Sequence, residues 1–158
     1  MPRNYWMVIT SPENFRIARS RGFDLIGLHA QHRRKVQRVE PGDRILLYMN
    51  HERRFGATAT VTASFVEDHT PIWKPEGNSD LPFRIAIRPD FALNDNDLID
   101  AREIAPRMDF VRRWTPEDWY MAFQGNLHLI SKADFSLIEE EMRKIKRGNL
   151  ARVASSRQ

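Results

Sequence analysis

From Phe55 to Phe65 the odd positions are apolar and the even ones are Gly, Thr or Ser, and that period of two predicts a half-buried strand of a curved sheet. Upstream, Tyr5 to Ile9 is an unbroken apolar run that, with Thr10, reads as a buried strand. Ser11 then stands as a helix N-cap with Pro12 in the first helical position, and Gly22 ends that helix. Asp24 to Leu28 is a short apolar segment leading into a basic helix on which Leu28, His32, Val36 and Val39 share one face. The turn Glu40-Pro-Gly-Asp43 precedes Ile45 to Met49, apolar enough for a strand covered on both sides.

Beyond the alternating strand, Glu67 to Pro82 is a polar loop containing Pro and Gly, with Trp73 in its middle. Phe83, Ile85 and Ile87 alternate with Arg84, Ala86 and Arg88 in a further strand. Thr115-Pro-Glu-Asp118 has the form of a helix start running into Trp119, and Gln124-Gly125-Asn126 turns the chain into a short strand, Leu127 to Ile130. Ser131 with Asp134 opens the last helix, where Phe135, Ile138, Met142 and Ile145 line one face and Lys144, Lys146 and Arg147 crowd the end before Gly148. Residues 149–158 lack a core pattern and are expected as a flexible tail after a single domain over residues 1–148.

Composition bounds the chemistry. A chain of 158 residues, 41% of them hydrophobic, can bury one sizeable core. The absence of Cys excludes disulfides and thiolate chemistry and suits a reducing compartment. The Tyr5 to Ile9 run is too short for a signal-peptide core or a membrane span, so a cytoplasmic protein with no membrane partner is expected.

The net charge of +4 conceals a segregation of sign. Residues 1–60 carry 11 Lys+Arg against 5 Asp+Glu, residues 61–141 carry 8 against 16, and the remainder carries 6 against none. Such segregation is the footprint of a polyanion binder. Arg outnumbers Lys by 20 to 5, and its planar fork suits phosphates and base edges, although codon usage explains the bias equally well.

Candidate binding residues follow. A helix start directly after a strand, at Ser11 to Asn14, presents free backbone N–H groups and a carboxamide able to read a base edge; plain capping by Ser11 is the competing reading. Trp73 is either a flat face for a stacked base or a loop anchor. His32, on the apolar line of the basic helix, either sits satisfied in the core or reaches a pocket. Arg33, Arg34, Lys35 and Arg38 can neutralise phosphates or form a solvated face. Trp114 and Trp119 do not share a helical face, so at least one is expected in the core, and Trp6 is expected as packing. His29-x-x-His32 is not completed by clustered Cys, Asp or Glu, so neither a metal nor a cofactor is expected. No phosphate loop, Rossmann fingerprint, nucleophile elbow or zinc-deaminase pattern is present.

Taken together, Tyr5-Trp6, Thr10-Ser-Pro-Glu-Asn14, Glu40-Pro-Gly-Asp43, Ile85 to Pro89 and Phe123-Gln-Gly-Asn-Leu127 resemble the EVE-domain family of the PUA-like superfamily, relatives of the YTH domains, over roughly residues 3–147. The resemblance implies an α/β (α+β) fold: a strongly bent mixed β-barrel flanked by helices, with a concave pocket at one mouth. It implies a nucleic-acid partner, DNA or RNA, bound through one flipped and modified base. By the same resemblance Trp73 falls near one tryptophan of an aromatic cage. Ile26, just before Gly27, replaces another and offers no π face, so the cage is incomplete. Ser11, Asn14, Ile26, Gly27, His32, Trp73, Gln124 and Asn126 are the expected ligand contacts, with Arg33, Arg34, Lys35 and Arg38 on phosphates. Two other readings stand beside this one. Some PUA-like relatives of the ASCH type hydrolyse acylated nucleosides with a Lys, a Thr and a Glu, for which Lys35 is the candidate here. A protein-interaction module using the acidic middle is the third. A monomer is compatible with the sequence.

Overall fold

The computed structural model describes residues 3–156, with side chains through residue 150. Eight strands form one mixed sheet: β1 (Tyr5–Thr10), β2 (Leu25–Leu28), β3 (Arg44–Met49), β4 (Arg54–Val61), β5 (Val66–Glu67), β6 (Phe83–Ala92), β7 (Ile99–Asp100) and β8 (Leu127–Ile130). The order is β2-β6-β4-β3-β1-β8, with β5 added to β6 and β7 to β4. Only β1 and β3 pair in parallel; every other pairing is antiparallel. The sheet curls into a half-barrel flanked by α1 (Pro12–Ser20), α2 (Arg33–Val36), α3 (Ala101–Ile104) and α4 (Lys132–Ser156).

The central strands are covered on both faces, as the unbroken apolar runs require. Trp6, Val8, Ile45 and Leu47 face inward onto Phe15 of α1, Ile26 of β2 and Ile85 of β6. Met7, Ile9, Leu46 and Tyr48 face outward onto a helical cover that includes Ile104, Trp119, Phe135 and Ile138. A bulge changes the expected face of one residue. Leu47 pairs with Ala57 but Tyr48 pairs with Phe55, so Gly56 is the extra residue and Phe55 joins the outer core rather than the inner one. Glycine is required there: a Cβ would lie 2.3 Å from the Phe15 ring. The strand ends at Val61, four residues before the alternation does.

Asp43 fixes the turn before β3. Its carboxylate, 3% exposed, accepts from the backbone N–H of Asn4 and Glu40 and from Trp6 Nε1, each at 3.0 Å. Trp6 is therefore packing with its one donor satisfied, as expected of it. Across the sheet, Arg44 pairs with Glu139 at 2.5 Å and Asp90 at 2.9 Å, which docks α4 against β3.

Several expectations need correction. The basic helix is a 3-10 turn, Ala30–His32, followed by the single turn of α2; Leu28, Val36 and Val39 are buried while His32 stands only half-buried. Residues 93–122 hold β7, α3 and 3-10 turns at Asp95–Asp97, Ala105–Arg107, Asp109–Val111 and Pro116–Ala122, where one helix start was expected. Gly148 does not stop α4, which continues to Ser156, and Asn149 donates to Asp97 at 2.9 Å. Among the described residues no helix is long and apolar enough to cross a membrane.

Candidate functional site

The junction between β1 and α1 builds one wall of a hollow. Ser11 caps α1, accepting from Asn14 N at 3.1 Å, and its own N–H donates to Glu76 at 3.3 Å. Asn14 is buried, and its carboxamide reaches the loop between β5 and β6: it donates to Lys74 O at 2.9 Å and accepts from Lys74 N at 2.7 Å. Asn14 and Ser11, expected at a ligand, are thus committed to holding a loop sixty residues away in sequence. Trp73 precedes the Lys74 so held.

The indole of Trp73 fills the hollow, which Val8, Thr10, Ile26, Gly27, Leu47 and Leu81 complete. Its Nε1 and Cδ1 press against the strand at Gly27, where a Cβ would stand 2.5 Å from Nε1. With 8% exposure Trp73 belongs to the inner core, and the remaining cavity of about 10 Å³ has room for roughly one water. The indole N–H has no hydrogen-bond partner. Leaving such a donor buried costs ~1–3 kcal/mol.

Next to it, Arg84 of β6 departs from the expected outward position. It is 1% exposed beneath the same loop; Nε donates to Leu81 O at 3.1 Å, and both terminal nitrogens lack hydrogen-bond partners, with Asp68 3.9 Å away.

The cations after β2 spread in different directions. Arg33 pairs with Glu67 at 2.9 Å and lies over the Phe83 ring at 4.9 Å; Lys35 donates to Leu127 O at 2.9 Å; Arg38 lies 6.0 Å from the Trp6 ring. Arg34 is exposed and has no partner among the described residues. The Arg33 pair continues into the Trp73 loop, because His69 donates to Asp80 at 2.7 Å and to Glu67 at 3.4 Å. Those two carboxylates raise the His69 pKa above its ordinary value.

His29, His32 and His128 gather around Lys35. Burial, then Lys35 and the two other histidines, lowers His32 to about 4, and burial lowers His128. His32 is therefore neutral at pH 7 and adds no charge for a phosphate. No group of three or more His, Asp or Glu among the described residues is placed to hold a metal ion. Among the described residues neither a Thr nor a Glu is hydrogen-bonded to Lys35, whose Nζ donates to Leu127 O instead. Asn126, 4% exposed, has both ends of its carboxamide committed, accepting from His29 N and donating to Ile9 O at 2.8 Å each. Gln124 is exposed on the neighbouring turn and does not line the hollow.

This arrangement of a half-barrel with a tryptophan-filled hollow at one mouth can be set beside known proteins. The sequence profile of the EVE domain matches residues 4–141. The chain belongs to the EVE domain family. Two UPF0310 proteins, from Pyrococcus abyssi and Pyrococcus horikoshii, are each 24% identical over 146 and 148 residues, spanning 86% of this chain and 97% of theirs. Among solved structures, the YTH domain of Mmi1 in an RNA complex superposes with a TM-score of 0.66 at 10% identity, covering 94% of this chain and 87% of that one. The YTH domain of Zygosaccharomyces rouxii MRB1 in complex with N6-methyladenosine RNA gives 0.62 at 14% identity, covering 87% and 85%. At such identities the likeness establishes the YTH-like, PUA-like fold of this EVE domain.

Three residues that hold this EVE domain's site together were not singled out from the sequence. Glu76 receives Ser11 and Asn14, Ser79 accepts from Ala30 and Leu81, and Arg84 lies under the loop. A polar residue in a loop gives no sign of which distant backbone it will meet; only Arg84, a cation alternating with core residues, carried a local signal.

Proposed function

We propose that this EVE domain binds nucleic acid by admitting one flipped, modified nucleobase to the hollow that Trp73 now fills, while Arg34, Arg38 and Arg33 meet the phosphates. The carrying observation is the Trp73 indole itself, a buried aromatic face whose N–H lacks a partner, seated over a strand kept open at Gly27. With only about 10 Å³ spare, a base enters by displacing the indole, which then serves as a stacking wall. Flipping costs a few kcal/mol, which stacking worth ~1–3 kcal/mol and base-edge hydrogen bonds offset. The RNA bound in the structurally similar YTH complexes supports a polynucleotide ligand. Ile26 contributes an apolar contact in place of a ring, so discrimination between a methylated and an unmodified base is expected to be modest.

The test is a fluorescence-anisotropy titration of methylated and unmodified single-stranded oligonucleotides, DNA and RNA, at 50 and 200 mM salt. The expected result is salt-dependent binding, stronger for a modified base and weakened by W73A and by the R34A/R38A pair. Equal, salt-insensitive, millimolar binding to every oligonucleotide would end the proposal.

A further inference from the structure

Away from the Trp73 hollow, the 3-10 segment between α3 and β8 folds around an open cleft of about 230 Å³. That is just below the size of pockets that bury whole drug-sized ligands, about 300–1,000 Å³, and suits a single ring. Met108 and Trp119, both buried, form its floor. Trp114 stands at its rim, 41% exposed, where Trp6, Trp73 and Trp119 all lie below 10%. An indole left in water beside an empty cleft is a large apolar surface without a partner.

The charges around it are those an anion would meet. Arg107 and Arg112 line the cleft and Arg113 adjoins Trp114. Arg112 is tied to Asp109, but Arg107 and Arg113 have no partner among the described residues. Asp118 on the next turn accepts from Thr115. The segment that forms the cleft, though not the cleft itself, also touches His128. Phe110 within the segment meets the His128 ring at 5.2 Å, and His128 belongs to the group around His32 and Lys35.

We propose that this cleft is a second nucleic-acid contact, in which Trp114 stacks on one base while Arg107 and Arg113 meet the flanking phosphates. This rests on the reading that the domain binds a polynucleotide, and it adds a site that the Trp73 hollow does not contain. The chemistry recognised is a flat heterocycle carrying phosphate, which a strand or a free nucleotide could supply.

Four indole N–H resonances, assigned by single Trp→Phe variants, are followed while the intact protein is titrated with a twelve-nucleotide single strand and, separately, with a nucleoside monophosphate. The expected result is that the strand moves the Trp114 resonance at concentrations where the monophosphate does not. W114A should weaken strand binding by about 5- to 150-fold, W114F should retain most of it, and R107A should lower the salt slope by about 0.7. A Trp114 resonance that responds to the monophosphate as strongly as to the strand reassigns the cleft to free nucleotides and overturns the strand contact. If the strand binds and moves Trp73 while Trp114 stays fixed, the second site is wrong and the first stands. If Trp114 moves with protein concentration alone, the patch belongs to a second copy of the chain. If no strand binds at all, both proposals fall together.

Discussion

Replacing Gly27 by Ala tests the closed hollow most directly. The new Cβ would stand 2.5 Å from Trp73 Nε1, 2.7 Å from its Cδ1 and 3.1 Å from Leu81 Cβ, where ordinary contact begins near 3.4 Å. The indole must shift by about an ångström, and its backbone cannot follow freely because Asn14 grips Lys74 through two hydrogen bonds. Overpacking of this kind costs ~1–3 kcal/mol. At roughly 2–4 °C per kcal/mol for a chain of this size, the melting temperature should fall by roughly 2–12 °C. Intrinsic fluorescence should move to the red as the indole is pushed toward water. Combining G27A with W73L, whose shorter side chain clears the Cβ, should recover part of the loss, a coupling measurable in a double-mutant cycle by urea denaturation. A variant with an unchanged melting temperature and an unchanged Trp73 indole resonance would refute the packing on which the hollow depends.

Asp43→Ala leaves three backbone and indole donors without their acceptor and should destabilise the fold by ~2–5 kcal/mol, read as a lower urea midpoint. Asn14→Ala releases the loop from α1 and should make residues 67–82 the first site of limited proteolysis, with a stability loss of ~1–3 kcal/mol. The folded His32 pKa of about 4 lies below its ordinary 6.5, so the unfolded chain binds the proton first: stability is full above pH 6.5 and declines as pH falls toward 4. His32→Gln should flatten that part of the melting-temperature profile, and an unaltered profile would remove His32 as its cause. Gly56→Ala should destabilise by clashing with Phe15, which Phe15→Leu should partly relieve; an absence of any effect would mean the bulge is elsewhere.

Much of the sheet was legible because its strands are apolar runs or alternations whose period depends only on burial. β1, β3, β6 and β8 fall where Tyr5 to Thr10, Ile45 to Met49, the Phe83-Ile85-Ile87 alternation and Leu127 to Ile130 place them. The bulge at Gly56 was not legible: Phe55 keeps the parity of Ala57, and only the pairing with Tyr48 reveals that it faces the other core. Residues 93–122 fold as short 3-10 turns, which are too brief to impose a period of their own. At the site, Trp73 declared itself as an aromatic in a polar loop, and Gly27 faces it. Asn14 reads as a base-edge reader from the sequence, and Asn126 as a ligand contact through the family resemblance, because a carboxamide serves a ligand and a distant backbone equally well; tertiary contacts assign both to the backbone. The arginines after β2 read as a row, but a single helical turn fans them out.

The exposed link between Arg33 and Glu67 carries a consequence for timing. One guanidinium cannot satisfy a strand and the loop at once, and an ion pair exposed on both sides is worth at most about 1 kcal/mol, so on the proposed reading a phosphodiester would take Arg33 at little cost. Glu67 would then be left with His69, and the segment carrying Trp73 would lose one of its tethers as a base arrives beside it. Capture and unlatching become a single exchange of partners.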